Sequence, residues 1–507
     1  MLSDRAVSAG TRLLTARRRL RSRTTRGPRV RPEDGASRLS EAERDDLRVG
    51  LRMAHPPDPA ALAAERRQLA DLEQAPRTAR WRSFAGLIGP GYMQSAMTLG
   101  SGTAASALFA GAVFGYQLLW VAPLAMLLGL VMLSAVAHQT LSTGLRPFDA
   151  MRRFAGAPLA WSWALGALIA SIVWHFPQYA LASAVLVDLG EAAGIEGLPA
   201  AGLGFVVLVW AVLISSLYGR RPELIRVYER LLRYMVWGIV VCFAWVVFRT
   251  GISDWGGLIR GFTGFAIPGE RNGVLGVTVI LSGLSAAVGI NMVFLYPYSL
   301  LARGWSREHR SLARFDLWTG TFVPYVLAAS LMVIAAANTI HLDPSYDGVR
   351  LSPVEAAQSL AAVAGPAVGR VVFDLGVLGM ALSTITLHML ATGFVACELF
   401  GWEFGSKRHR LAMLLPAPGA LGPVFWGDIA VWLAVPTNIV CGLFLPAAYI
   451  GFVILQRRRG YLGDDRPAGA RGWLWWGGMV AVTLFLTGFM AWYVWTQGPS
   501  YFGRFAG

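Results

Sequence analysis

The sequence predicts an all-α integral membrane protein of about eleven transmembrane helices, the first and sixth of them broken. Three observations carry this. The chain has 507 residues, of which 55% are hydrophobic and only 15% charged, too little charge for soluble domains of that length. Its apolar runs are each roughly 20 residues, enough to cross a hydrocarbon core. Two of the runs are interrupted midway, at Gly100-Ser101-Gly102-Thr103 and at Val288-Gly289-Ile290-Asn291. Irregular backbone at membrane depth persists only where it is buried in protein or lines a polar cavity, because freed amides and carbonyls find no water in lipid.

The expected spans centre on residues 83–114, 117–140, 160–187, 200–217, 231–248, 273–302, 316–338, 370–400, 410–426, 429–455 and 473–496. The first holds the Gly-rich interruption and the sixth holds the second one. The ninth is short and crowded by Pro416, Pro418 and Pro423. Trp473, Trp475 and Trp476 at one end of the last span, and Trp492 and Trp495 at the other, read as aromatic belts at the two interfaces. Interruptions in the first and sixth spans fit two inverted repeats around a midplane site, about 83–249 and 273–456, with an extra helix at 473–496 completing a transmembrane domain over 83–500. The loop 341–369 is expected to carry a surface helix from Pro353 to Ala364. Residues 1–82 read as a basic, largely disordered cytoplasmic tail lying against anionic lipid, with short amphipathic helices within 40–73 around Pro56-Pro57.

The net charge of +15 reflects topology, and no nucleic-acid partner is expected. Arginines gather in alternate loops, at Arg146, Arg152 and Arg153, at Arg220 to Arg233, at Arg303 to Arg314, and at Arg457 to Arg459. The intervening loops carry Asp188, Glu191 and Glu196, then Asp343, Asp347 and Glu355. Positive loops mark the cytoplasm, which with eleven spans puts the N-terminus inside and the C-terminus outside. The almost exclusive use of Arg over Lys points to a GC-rich bacterial source, hence a plasma membrane. Cys242, Cys397 and Cys441 fall within spans and read as buried small hydrophobes. No nucleotide fingerprint, Ser-His-Asp spacing or His-Glu-x-x-His pattern occurs, so neither an enzyme nor a cofactor is expected. Paired helix breaks instead suit a transporter driven by an ion gradient or the membrane potential.

The residues from Gly89-Pro90-Gly91-Tyr92 through Gly111, Phe114-Gly115-Tyr116 and Leu118-Leu119-Trp120 resemble the natural resistance-associated macrophage protein (Nramp) family, proton-coupled importers of divalent transition metals. The resemblance resumes at Phe373, Leu375-Gly376, Ser383-Thr384 and Pro446, and covers most of 83–460. It implies the leucine-transporter-type architecture, with helices 1 and 6 unwound. The family's metal-binding side chains do not carry over. Its Asp-Pro-Gly-Asn motif falls on Gly100-Ser101-Gly102-Thr103, and its Met-Pro-His motif on Gly289-Ile290-Asn291. A shift of three residues would put Met292 on the family's methionine, at the cost of the fit over Val293-Phe294-Leu295-Tyr296. The acidic pair that the family uses for proton movement falls on His175 and Gln178, and its tenth-span glutamine on Phe444.

Oxygen donors remain at the breaks: carbonyls near Met97 to Gly100 and Ala286 to Gly289, the hydroxyls of Ser101 and Thr103, and the Asn291 amide. The first expectation is therefore a divalent cation, a hard ion such as Mg²⁺ keeping part of its water shell, at the positions that match the family's metal site: Gly100, Thr103, Gly289 and Asn291. The second is an amino-acid-like or anionic solute drawn to amides exposed by Gly100-Ser101-Gly102. The third is a non-transporting scaffold in which these glycines serve helix packing. His175, with Gln178, and more remotely His388, are the candidates for proton coupling, since ionisable groups at membrane depth are rare. Gln94 and Thr98 share one face of the first helix and read as pathway or as interhelical hydrogen bonds, and Tyr296 is placed to line the inner vestibule.

Overall fold

Amides removed from water must bond to each other, and along this chain they do so almost entirely within helices. The computed structural model describes residues 50–505 other than 74, 345, 347–352, 366 and 427–429. Most of the expected tail therefore lies outside the described residues. Its described part holds two helices, α1 (Pro59–Glu73) and α2 (Arg77–Leu87).

The first membrane span is a bent pair, α3 (Pro90–Thr98) and α4 (Ser101–Phe114), meeting at 54°. There follow α5 (Val121–Thr143), α6 (Pro147–Phe154), α7 (Ala157–Ala192), α8 (Ala200–Ser215) and α9 (Pro222–Thr250). A short α10 (Trp255–Thr263) and a two-stranded hairpin, Glu270–Arg271 with Val274–Leu275, lead into the second interrupted span. This is α11 (Gly276–Ala287) with α12 (Ile290–Ala302). Then come α13 (Arg310–Asp316), a π-helical stretch Leu317–Phe322, α14 (Val323–Asn338), α15 (Pro353–Ala364) and α16 (Phe373–Phe400). The chain continues through α17 (Lys407–Ala412), α18 (Gly422–Trp426), α19 (Ala430–Gly442), α20 (Leu445–Arg457), α21 (Arg459–Leu462) and α22 (Gly469–Phe505).

Among the described residues, eight helical runs are long and apolar enough to cross a bilayer, nine with the bent pair, and α8 is a shorter apolar helix. The expected ninth span needs correction. Residues 410–426 form no continuous rod but end α17, turn through a 3-10 segment Ala417–Leu421 and finish in α18. Pro416, Pro418 and Pro423 explain this: each lacks an amide proton and blocks the carbonyl one turn back. The broken stretch passes the middle of α7, where methyl groups built on Gly419 and Gly422 would collide with the backbone of His175 and Phe176. The helix expected at 353–364 is present as α15, with Ala356, Ala357 and Leu360 on its buried face and Glu355, Gln358 and Val363 exposed.

α7 is the central post, packed on α8, α12, α16, α19 and α20. The span ends separate into two sets. At one, Arg303 reaches the Leu87 carbonyl (3.1 Å), Arg310 reaches Ser142 (2.9 Å) and Arg458 reaches the Phe154 carbonyl (2.9 Å). At the other, Tyr116 meets Asn338 (2.6 Å) and Arg370 meets Asp188. The arginine-rich loops thus share one end.

That end grips the foot of α3. Asp316 accepts from the amides of Gly89 (3.1 Å) and Gly91 (2.6 Å). A methyl group on Gly91 would sit 2.3 Å from the Asp316 carbonyl, so only glycine permits the approach. Arg303 pairs with Glu229 at 2.6 Å, both nearly buried. On α1, Glu65 faces His309 (3.4 Å) and Arg226 (3.7 Å). Burial alone would raise the Glu65 carboxyl, but the His309 hydrogen bond and the Arg303 and Arg226 charges bring it below its ordinary range.

Candidate functional site

Both interruptions exist, and they meet. At the first, Leu99 and Gly100 leave helical geometry (φ −75°, ψ 74° and φ −130°, ψ −166°). At the second, Val288 and Gly289 are extended (φ −142°, ψ 104° and φ −84°, ψ 159°), although α11 and α12 still run as one span without a sharp bend. Thr98 Oγ1 lies where they meet, 2.9 Å from the Gln94 carbonyl of its own helix, 3.2 Å from the Ala287 carbonyl and 3.1 Å from Met292 Sδ.

The first break redirects amides. In a continuous helix the Ala96 and Met97 carbonyls would accept from residues 100 and 101. Here the Gly100 amide goes to the Thr98 carbonyl (2.9 Å), and the Ser101 amide to Gln178 Oε1 on α7 (2.9 Å). The released oxygens turn to Thr384 on α16, whose Oγ1 lies 3.0 Å from Ala96 O, 3.4 Å from Met97 O, 3.2 Å from Leu99 O and 2.9 Å from Met380 O. One hydroxyl proton cannot serve four carbonyls at once, so the break holds an excess of oxygen acceptors. Ser383 adds a second donor to Ala96 O at 3.1 Å.

Gly100 and Gly102 let polar side chains of neighbouring helices approach, and Gly289 leaves room for Asn291. A methyl group on Gly100 would stand 2.6 Å from both Gln178 Nε2 and Thr384 Oγ1. On Gly102 it would stand 2.2 Å from Asn438 Oδ1, and on Gly289 2.7 Å from Asn291 Oδ1. Asn438 on α19 donates to Gly102 O (3.0 Å) and Ser282 Oγ (2.9 Å), tying the two broken spans to α19. Thr103 Oγ1 donates to Thr98 O at 2.6 Å, closing the first break on itself. Asn291 donates to Ser171 Oγ (3.2 Å), and its Oδ1 accepts from the Met292 amide (3.0 Å).

Met97, Gly100, Ser101, Thr103, Gly289 and Asn291 therefore gather around the two breaks, with Ala286 one residue before the carbonyl that Thr98 contacts. Met292 also belongs here, since its sulfur accepts from the Gly289 amide at 3.3 Å and lies 3.1 Å from Thr98 Oγ1. The thioether is thus at the break even with the gapless registration of the sequence. Thr384 and Asn438 were not among the sequence candidates. A polar side chain at the centre of an apolar span was the signal for both, and Thr384 also lay in the Ser383-Thr384 pair that carries the family resemblance. Gln94 and Tyr296 are fully buried, with the Gln94 amide and the Tyr296 hydroxyl lacking partners among the described residues.

His175 and His388 come together, their ring centroids 5.4 Å apart, with Trp174 5.7 Å from His388 and Tyr179 5.4 Å from His175. His175 Nδ1 meets the Ser171 carbonyl (3.2 Å), while His175 Nε2 and both His388 nitrogens lack partners among the described residues. His175 lies one helical turn before Gln178, and Gln178 holds the first break. Among the described residues no group of three or more His, Cys, Asp or Glu side chains converges as a metal cage. The breaks are shut from bulk water: Ser101 is 2% exposed, and Thr98, Thr103 and Asn291 are 1%. Just outward, Thr103, Ser106, Val279 and Tyr325 line a void of about 20 Å³, room for one water.

A family model described as natural resistance-associated macrophage protein-like matches residues 91–493. A divalent metal cation transporter MntH of Agrobacterium fabrum is 24% identical over 405 residues, covering 77% of this chain and 84% of its own. One from Mycobacterium tuberculosis is 24% identical over 454 residues, covering 85% and 96%. Among solved structures, the Eremococcus coleocola manganese transporter superposes with a TM-score of 0.64 at 14% identity, over 88% of this chain and 91% of that one. The nucleobase-cation-symport-1 transporter Mhp1, closed with bromovinylhydantoin bound, gives 0.52 at 16% identity, over 81% and 93%.

Proposed function

Because the chain belongs to the Nramp family and has the leucine-transporter-type fold, we propose that it is a secondary transporter moving a divalent metal cation by alternating access around its two helix breaks. It is a multi-pass integral membrane protein, and its family is one of transporters rather than enzymes. The observation that carries the proposal is the meeting of the breaks at Thr98, with carbonyls of Ala96, Met97 and Leu99 turned out of the helical ladder.

Oxygen chemistry argues for a hard ion such as Mg²⁺. Carbonyl, hydroxyl and amide oxygens suit a hard cation, and the missing carboxylates favour one that keeps part of its water shell. Met292 is the one soft donor beside the break. The substrate-binding residues are then Met97, Gly100, Ser101, Thr103, Ala286, Gly289 and Asn291, supported by Thr384 and Met292. The alternative anionic solute would need the Ser101 amide, which Gln178 already occupies. His175, one turn from Gln178 on α7, and His388 beside it are the proton-coupling pair. The arginine-rich end faces the cytoplasm of a bacterial plasma membrane, with the N-terminus inside and the C-terminus outside.

The test is uptake by proteoliposomes of labelled Mg²⁺, Mn²⁺ and a panel of amino acids, with and without a pH gradient. Uptake of Mg²⁺ ahead of Mn²⁺ supports the proposal. Amino-acid uptake alone selects the organic-solute reading, and inactivity toward every substrate selects the scaffold. His175→Asn should abolish stimulation by the pH gradient while leaving downhill flux.

A further inference from the structure

A second cavity lies far from the breaks, at the arginine-rich end. It is a half-open groove of about 440 Å³ between the last turns of α5, the start of the α13 span and the foot of α22. That volume is in the range of small-ligand sites. Arg307, Arg310 and Arg314 line it, Arg310 half-buried and the other two exposed at its rim. Its inner wall is apolar, made by Ala137, Leu141 and Ala313.

Two carboxylates partly balance this charge. Asp465 takes Arg307 at 2.7 Å and Arg310 at 3.2 Å, and Glu308 accepts from Ser306 Oγ at 2.5 Å. Arg314 has no ion-pair or hydrogen-bond partner among the described residues. The floor is held in place. His138 Nε2 meets the Asp465 carbonyl at 3.0 Å, and its ring lies 5.3 Å from that of Trp475. Arg310 is further fixed by Ser142 Oγ at 2.9 Å. The groove is thus shaped by hydrogen bonds within the protein, and it keeps one guanidinium uncommitted among the described residues.

We infer that this cavity binds a phosphate ester through Arg314 and Arg310, independently of what the transporter carries. A guanidinium fork matches phosphate oxygens two at a time. The apolar wall beside the charged rim suits a phosphodiester that continues into an acyl chain, as an anionic phospholipid headgroup does. A soluble phosphate ester offers the same charged end.

Equilibrium binding by the full-length protein in phosphatidylcholine nanodiscs separates these sources. The probes are radiolabelled phosphatidylglycerol, inorganic phosphate and glycerol phosphate. Saturable uptake of phosphatidylglycerol, not displaced by the soluble probes, supports the site with lipid as its source. Saturable binding of the soluble probes supports it with a soluble source. Arg314→Gln should weaken whichever probe binds by about fivefold, the worth of one arginine near a phosphate surface, and Arg314→Lys should recover most of it. Ser311→Glu, on the half-buried rim, adds a repelling charge without removing an arginine and should weaken binding at least as much. The inference is overturned if no probe saturates, or if Ser311→Glu and Arg314→Gln both bind as the unaltered chain does while melting at its temperature.

Discussion

Thr384→Val tests whether the first break is held open by α16. Valine keeps the shape of threonine and removes the hydroxyl that faces Ala96 O, Met97 O, Leu99 O and Met380 O. A single buried hydrogen bond is worth about 1 kcal/mol net, and a carbonyl left with no donor costs about 1–3 kcal/mol. Ala96 O would still receive Ser383 Oγ at 3.1 Å. The single change should therefore cost about 1 kcal/mol, and Ser383→Ala no more than that. Together they strip both side-chain donors from Ala96 O, whose helical donor, the Gly100 amide, is already committed to Thr98 O. The double variant should thus exceed the sum of the singles by about 0.5–2 kcal/mol, the coupling typical of groups sharing one partner. Unfolding free energies from tryptophan emission in detergent supply the cycle, and initial uptake rates in proteoliposomes should fall in the same order. Additivity within about 0.3 kcal/mol, or no loss from either single change, refutes the idea that these hydroxyls serve released carbonyls.

Gly100→Asp with Gly289→Met should raise Mn²⁺ affinity at least tenfold by calorimetry. A carboxylate about 4 Å from a divalent ion gains roughly 8 kcal/mol gross at an effective dielectric near 20. That exceeds several kcal/mol of desolvation and about 1–3 kcal/mol for displacing Gln178 and Thr384. No change in Mn²⁺ binding would argue against the alignment of these positions. Glu229→Gln leaves Arg303, only 7% exposed, without its anion and should cost about 3–5 kcal/mol, with much of the loss regained by adding Arg303→Met. Glu65→Gln should lower the unfolding free energy by about 1 kcal/mol at neutral pH. Because the Glu65 carboxyl is depressed in the folded protein, its contribution is present above the ordinary glutamate range and disappears as the pH falls through the folded value. Wild type and variant should therefore converge in acid, and a difference that persists there overturns the assignment.

Much of the fold was legible because bilayer and backbone leave few choices. An apolar run of about 20 residues can only become a helix in lipid, and α5, α7, α9 and α16 follow from that alone. Both breaks were equally legible, since Gly100-Ser101-Gly102 and Val288-Gly289 put small residues where an apolar helix has no need of them. The stretch at 410–426 was misread because hydropathy counts side chains, whereas the three prolines act on amides. The likeness of Gly100 and Gly102 to a packing motif was also ambiguous in sequence, since a glycine records that something comes close but not what.

The amino-acid order by itself determined the membrane class, the two interruptions and the family. Only the tertiary structure decided which atoms meet at the breaks. It brought Gln178, Thr384 and Asn438, from three other helices, onto the first break and set His175 beside His388. It also brought Arg307, Arg310 and Arg314 together with the sequence-distant Asp465 around one groove. The physical reason is range: helix formation and bilayer partition are local properties of a run of residues. A hydrogen bond between residues hundreds of positions apart depends on how whole helices pack, and no local pattern encodes that.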